Sequence, residues 1–194
     1  MIVVGVGCGP GMLTEDAIVH IRMAKVVYGS ERALDLAVAY ISPMCEVHHI
    51  EDYSNLANLP DDAVLLSTGD PMLAGLGHLG KKVVPGISSM QYAFSRLRIP
   101  LTRAVVVDAH GKDERSARLE ILDELSRGKV PFVLTEPGFD LAALSRMIVD
   151  KGIGCKIALC ENLGYSDESI SIGDAENPPS ISSKLYSLVL MSGD

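Results

Sequence analysis

Two rhythms alternate along this chain. Short apolar, β-branched runs are separated by stretches in which apolar residues recur every three or four positions, as strands interleave with amphipathic helices in an α/β protein. Residues 2–6 predict a first strand, followed by a glycine-rich loop. Residues 15–25 predict a helix: Ala17, Ile18, Ile21 and Ala24 form one stripe, Thr14 is placed as N-cap, and Glu15 and Asp16 sit in the first turn, where the helix dipole favours anions. Strands follow over 26–28, 45–50, 63–67 and 82–84, and helices over 31–39 and 89–97. The Ile99-Pro100-Leu101-Thr102 stretch interrupts the pattern and predicts a boundary between a domain of residues 1–101 and one of 102–194. The second half continues with strands over 104–109, 131–135 and 156–160 and helices over 115–126 and 141–149. It closes with strands over 169–172 and 185–191 on either side of a Pro-containing turn at 177–180. Consecutive strands at the end predict a mixed sheet there, whereas the first half reads as mostly parallel.

Composition narrows the class. Hydrophobic residues make up 47% and charged residues 22% of 194, ordinary globular usage with enough chain to bury a core. No apolar run approaches the ~18 residues of a membrane helix, and no basic segment precedes the first strand, so a cytoplasmic protein without a leader is expected. The cysteines Cys8, Cys45, Cys155 and Cys160 form no CxxC pair, so neither a disulfide framework nor a metal site is expected. Seventeen Lys and Arg against twenty-five Asp and Glu give −8, which argues against nucleic acid as a partner. Residues 81–118 depart from that balance: eight cations against three acids give +5, leaving −13 elsewhere. Such a segment is either a solvated basic face or the place where an anionic ligand sits.

Three loops carry candidate chemistry, and each follows a predicted strand. Gly5-Val6-Gly7-Cys8-Gly9-Pro10-Gly11 permits close approach of a ligand, yet its spacing breaks GxGxxG and it lacks the Lys-Ser/Thr of a phosphate loop. A dinucleotide-dependent oxidoreductase is therefore disfavoured. Ser67-Thr68-Gly69-Asp70-Pro71 places a carboxylate at the carboxyl end of a buried strand, where open α/β sheets bind ligands; taken by itself, Asp70 reads first as a turn cap. Val84-Pro85-Gly86-Ile87-Ser88-Ser89 leads into a helix whose first N–H groups carry positive dipole. One serine suffices as a cap; the second is available for a small anion such as an amino-acid carboxylate.

In this order the three motifs, GxGxGPGxxxLT, GDP and VPGISS, resemble those of the tetrapyrrole methylases, S-adenosylmethionine-dependent enzymes of two α/β domains. Asp108-Ala109-His110-Gly111-Lys112 and the segment from Cys160 through Glu161-Asn162-Leu163-Gly164 to Glu168 are similar to the HGR and ENLxxPDE segments of the C5-methylases of the cobalamin pathway within that family. The resemblance implies methylation of precorrin-7, or its cobalt form, with S-adenosyl-L-methionine bound in a cleft between the domains and no protein-bound metal. It implies that Gly69, Asp70, Met72 and Leu73 line the methionine side, that Ser88 and Ser89 lie near the carboxylate, and that Thr135, Glu136 and Leu163 meet the adenine. Main chain at Cys8 is implied to touch cofactor, and Gly9, Pro10 and Gly11 to face the tetrapyrrole. It further implies a homodimer, with a C15 methylase-decarboxylase as functional partner.

Precorrins are polycarboxylates, and the basic segment answers that chemistry: Arg96, Arg98, Arg103 and Lys112 are candidate substrate contacts. His110 is the candidate acid/base for the proton lost after methylation, with a main-chain hydrogen-bonding role as its alternative. Other ring positions, diphthine synthesis and ribosomal-RNA methylation share the three loops; the acidic balance opposes the last, and the HGK and ENLG segments oppose the others. Only thirteen residues separate Pro71 from Pro85, close to the minimum for a parallel crossover.

Overall fold

A sheet with two apolar faces needs a cover on each, and the first part of the chain supplies both. The computed structural model describes residues 1–110 and 113–192. Its backbone divides into two compact units, Met1–Tyr92 and the chain from Ala93 onward, so the division falls inside the helix Ser89–Leu97.

The first unit holds strands β1 (Ile2–Gly5), β2 (Val26–Gly29), β3 (Glu46–His49), β4 (Val64–Ser67) and β5 (Lys82–Val84), in the order β3-β2-β4-β1-β5. Every pairing is parallel. Alternate side chains face opposite ways along a strand. Val4, Val64, Leu66 and Val84 therefore meet Ala17 and Ile21 of α1 (Glu15–Met23) and Ala33 and Ala37 of α2 (Glu31–Ala37). Val3 and Leu65 turn to the other face, where Met1, Ile50, Leu56 and Ala63 cover them. Ile21 has no exposed surface, a burial worth about 2 kcal/mol of transfer free energy. Both helices start on hydroxyl caps: Thr14 accepts from the Ala17 amide at 3.1 Å and Ser30 from that of Ala33 at 3.3 Å.

The second unit is built on strands β6 (Ala104–Asp108), β7 (Val130–Leu134), β8 (Cys155–Glu161), β9 (Ser169–Asp174) and β10 (Tyr186–Ser192). Their order is β6-β7-β10-β8-β9. Strand β6 pairs parallel with β7, whereas β10 runs antiparallel to both β7 and β8 and β8 antiparallel to β9, so the sheet is mixed. The core sets Ile121, Leu122 and Leu125 of α5 (Glu114–Ser126) and Leu144 and Ile148 of α6 (Leu141–Asp150) against Ile157, Leu159, Leu188 and Leu190. Asp113 and Asp140 cap these helices.

Element ends depart from the sequence pattern where a cap intervenes. Helix α1 stops at Met23 because Ala24 turns extended, and α2 tightens into a 3-10 turn over Val38–Tyr40. A four-residue helix absent from the periodicity, α3 (Pro71–Ala74), is made by Asp70 as N-cap, Pro71 at its first position and Gly75 at φ 91° as C-cap. With a 3-10 turn at Gly77–Leu79 it fills the short crossover to β5.

Candidate functional site

Strands β4, β1 and β5 are neighbours, so the three loops that follow them leave from one edge of the first sheet. They are laced together by main chain. Gly7 and Gly69 exchange hydrogen bonds, N–H to O, of 3.2 and 2.7 Å. The Asp70 carboxylate then joins the second loop to the third: Oδ1 accepts from the Met72 amide at 2.8 Å and Oδ2 from the Gly86 amide at 3.0 Å. Glycine is required at this junction by contact. A Cβ on Gly5 would stand 2.6 Å from the Gly86 nitrogen and 2.8 Å from the Gly69 carbonyl oxygen, and one on Gly86 would overlap that same oxygen. The result is a platform of bare backbone.

The serine pair divides its work. Ser88 is buried and makes a capping box with Gln91, accepting from the Gln91 amide at 3.1 Å while Gln91 Oε1 accepts from the Ser88 amide at 2.9 Å. Ser89, half-buried at the start of α4 (Ser89–Leu97), makes no side-chain hydrogen bond among the described residues. Its hydroxyl and the first amides of α4 are the donors here that suit a carboxylate. Cys8 is buried with its thiol 3.4 Å from Met12 Sδ, Gly9 is buried, and Pro10 and Gly11 are exposed at the loop tip. Met72 is exposed and Leu73 half-buried.

A matching edge exists in the second unit. The carboxyl ends of β6, β7 and β8 and the start of β10 lie together, because Leu134 pairs with Ser187 and Glu161 with Tyr186. This brings His110, Thr135, Glu136 and Leu163 to one edge of the sheet. The Thr135 hydroxyl donates to the Tyr186 carbonyl at 2.9 Å, and the Tyr186 hydroxyl donates to the Glu136 carbonyl at 3.1 Å. Burial pushes the Tyr186 phenol up, so it stays a neutral donor. His110 is exposed, and its amide donates to Asp108 Oδ1 at 3.0 Å. Gly111 and Lys112 lie outside the described residues.

The segment read as ENLG is the loop of the β8–β9 hairpin. Leu163 is buried, and Asn162 adopts φ 49°, a left-handed conformation that side chains seldom take. Asn162 is tied on both sides: its Nδ2 donates to Asp167 at 2.8 Å and its Oδ1 accepts from the Ser183 hydroxyl at 2.7 Å. Glu161 accepts from the amides of Ser182 and Ser183 at 2.7 and 2.6 Å. Burial alone would raise its carboxyl, but these donors and the Ser182 hydroxyl outweigh burial and hold it below the usual carboxylate range.

Of the four cations of the sequence reading, Arg96, Arg98 and Arg103 lie among the described residues. Arg96 Nε donates to Glu168 Oε1 at 2.7 Å in the second unit. Arg98 ends α4 at φ 56°, in a position that glycine ordinarily takes. Arg103 donates to the Gly128 carbonyl at 3.4 Å beside the start of β6. Arg103 and His110 therefore flank opposite ends of that five-residue strand. Sequence reasoning passed over Glu161, Glu168 and Gln91 as individual residues. Two signals pointed to Glu161 and Gln91, a carboxylate closing an apolar strand and the Ser-x-x-Gln spacing of a capping box; neither marked Glu168. Among the described residues, no group of three His, Cys, Asp or Glu side chains is arranged to hold a metal ion.

A parallel α/β unit with three glycine loops clasped at one edge, joined in sequence to a mixed-sheet unit, is an α/β architecture that leaves bare backbone at the carboxyl ends of parallel strands, where such sheets bind ligands. Residues 1–179 match the tetrapyrrole (corrin/porphyrin) methylases, and the chain belongs to that family of S-adenosylmethionine-dependent methyltransferases. A probable cobalt-precorrin-7 C(5)-methyltransferase of Methanocaldococcus jannaschii is 31% identical over 189 residues, covering 86% of each chain. A decarboxylating precorrin-6Y C(5,15)-methyltransferase of Sinorhizobium is 30% identical over 87% of this chain, which spans 43% of that longer protein. Among solved structures, the cobalamin-biosynthesis precorrin-6Y methylase of Archaeoglobus fulgidus superposes with a TM-score of 0.77 at 28% identity, covering 100% of this chain and 98% of that one. The methyltransferase CobJ reaches a TM-score of 0.78 over 98% of this chain and 93% of that one at 15% identity, a likeness of fold alone.

Proposed function

We propose that this chain transfers a methyl group from S-adenosyl-L-methionine to C5 of precorrin-7 or cobalt-precorrin-7 in cobalamin biosynthesis, releasing S-adenosyl-L-homocysteine. The observation that carries the ring position is the 31% identity to the M. jannaschii C5-methyltransferase across 86% of both chains. S-adenosylmethionine supplies an electrophilic methyl on a sulfonium, so the protein's task is to hold a carbon nucleophile in line at roughly 3–3.5 Å. Residues 1–101 would contribute the backbone platform at Gly69, with Asp70, Met72, Leu73 and the Cys8 main chain beside it. The Ser89 hydroxyl and the α4 amides, which Ser88 holds in place as their cap, suit the methionine carboxylate. Residues 102–194 would contribute Thr135, Glu136 and Leu163 to the adenine.

Gly9, Pro10 and Gly11 would face the tetrapyrrole, Arg98 and Lys112 its carboxylates, and His110 the proton released after methylation. Arg103, beside the start of β6, donates to the Gly128 carbonyl. The same reading carries a cytoplasmic homodimer working alongside a C15 methylase-decarboxylase. In its support, the Sinorhizobium relative is named for both ring positions, and among the described residues no helix is long and apolar enough to cross a membrane. Calorimetry with S-adenosylhomocysteine and with NAD tests the cofactor. Binding of the former is expected; binding of NAD alone overturns the reading.

A further inference from the structure

The hairpin loop after β8 has an unusual brace. Its turn runs through two left-handed residues, Asn162 at φ 49° and Gly164 at φ 82°, with the buried Leu163 between them. Main-chain bonds close it from Tyr165 N–H to the Asn162 carbonyl at 3.0 Å and from Glu168 N–H to the Tyr165 carbonyl at 3.1 Å. The Glu168 side chain then folds back across the loop. Its Oε2 accepts from the Gly164 amide at 2.8 Å while its Oε1 accepts from Arg96 Nε at 2.7 Å. The carboxylate is 12% exposed and the arginine 55% exposed, so the acid is the inner partner and the cation closes over it. A carboxylate shared between a backbone amide and a guanidinium is a strong, directional pair, because both hydrogen bonds are charge-assisted.

We propose that Glu168 is a positioning residue for the cofactor: by holding the Gly164 amide it fixes the Asn162–Gly164 turn that presents Leu163, and Arg96 acts through Glu168 rather than on the carboxylates of the tetrapyrrole. The inference rests on the reading that Leu163 faces the adenine. It follows that a change at either residue alters cofactor affinity and leaves tetrapyrrole affinity alone. A substrate-contacting Arg96 requires the reverse.

The test compares Glu168→Ala, Glu168→Gln and Arg96→Met with the wild-type chain. It measures the Kd of S-adenosylhomocysteine by calorimetry, and the KM of cofactor and of tetrapyrrole separately. Glu168→Ala removes the acceptor of the Gly164 amide and is expected to weaken S-adenosylhomocysteine about tenfold, or ~1.4 kcal/mol. Glu168→Gln keeps an acceptor for that amide and is expected to recover most of the loss. Arg96→Met is expected to raise the cofactor KM about threefold with the tetrapyrrole KM within about twofold of wild type, as removal of a mostly exposed charge partner implies. A tetrapyrrole KM that rises in Arg96→Met while the cofactor KM holds overturns the proposal, as does unchanged cofactor affinity in all three variants. Should Glu168→Ala fail to fold, the Gln and Met variants decide. Wild-type protein that binds no S-adenosylhomocysteine overturns the functional reading and the proposal together, so the two failures are distinguishable.

Discussion

The Gly86 amide donates to Asp70 Oδ2 at 3.0 Å across sixteen positions of sequence, and the other oxygen of the same carboxylate caps α3. One side chain thus fixes both the start of a helix and the approach of two loops. Both of its bonds come from backbone N–H groups, which demand an acceptor on each side. Asp70→Asn places an amide donor against one of them, and Asp70→Ala removes both acceptors. Each variant is expected to lower stability by about 1–2 kcal/mol, the range for a lost N-cap and an unpaired amide, and to weaken S-adenosylhomocysteine. Urea unfolding gives the first quantity and calorimetry the second. An unchanged unfolding midpoint in both variants would contradict the role assigned to Asp70.

Arg98 occupies a left-handed position, with the Ile99 amide donating to the Phe94 carbonyl at 2.9 Å in the pattern that closes a helix on glycine. A side chain there costs about 1–2 kcal/mol that glycine avoids, partly offset by the greater freedom of glycine in the unfolded chain. Arg98→Gly is expected to leave stability equal or higher, by up to about 1 kcal/mol. Its tetrapyrrole KM is expected to rise. Opposite movement of the two quantities in one variant separates a residue kept for binding from one kept for folding. Loss of stability with unchanged KM would contradict the assignment.

Glu161 gives the protein an acid-sensitive joint. Its carboxyl lies below the unfolded-state value because the Ser182 and Ser183 donors outweigh burial. The sign follows from linkage: the stabilisation is fully present above the unfolded value of ~4.3 and is lost as pH falls through the folded value. Glu161→Gln is expected to be about 1.5–3 kcal/mol less stable at neutral pH, the scale of hydrogen bonds to a charged group. The gap between variant and wild type is expected to narrow as pH falls below the unfolded value and through the folded one. Unfolding free energies measured from pH 3 to 7 check this; a gap independent of pH would contradict it.

Thiol chemistry reports the same packing. Burial pushes Cys160 up to about 12, with the Glu168 charge adding to it, and pushes Cys155 up to about 11. Cys8 is buried and Cys45 is half-buried. Brief treatment of native protein with iodoacetamide is expected to modify Cys45 first, the others reacting only in urea, as peptide mass spectrometry will report. Rapid native labelling of Cys160 would contradict the buried β8.

The strands and helices were legible where periodicity is local. Lys82–Val84 and Ser89–Leu97 lie where the apolar pattern predicts them, and the mixed second sheet follows from the consecutive strands at the end. The order β3-β2-β4-β1-β5 was not legible, because strand neighbours are chosen by long-range packing. It is that order which puts three loops, separately ambiguous in sequence, on one edge. Helix α3 is too short to show a period. At the serine pair, the sequence left the roles of Ser88 and Ser89 undivided, although Gln91 three positions after Ser88 already carried the capping-box signature. The long-range partners of the basic segment were not legible either. Arg96 and Arg103 are seven positions apart, yet one pairs with Glu168, 72 positions away, and the other with Gly128 beside the start of β6.

The most direct measurement is the position of the transferred methyl. Protein incubated with S-adenosylmethionine carrying a ¹³C-methyl group and with precorrin-7 or cobalt-precorrin-7 yields a product whose labelled carbon is located by NMR. The account predicts a single new methyl at C5 and one equivalent of S-adenosylhomocysteine. A label on another ring carbon, or no transfer by protein that binds the cofactor, would contradict it.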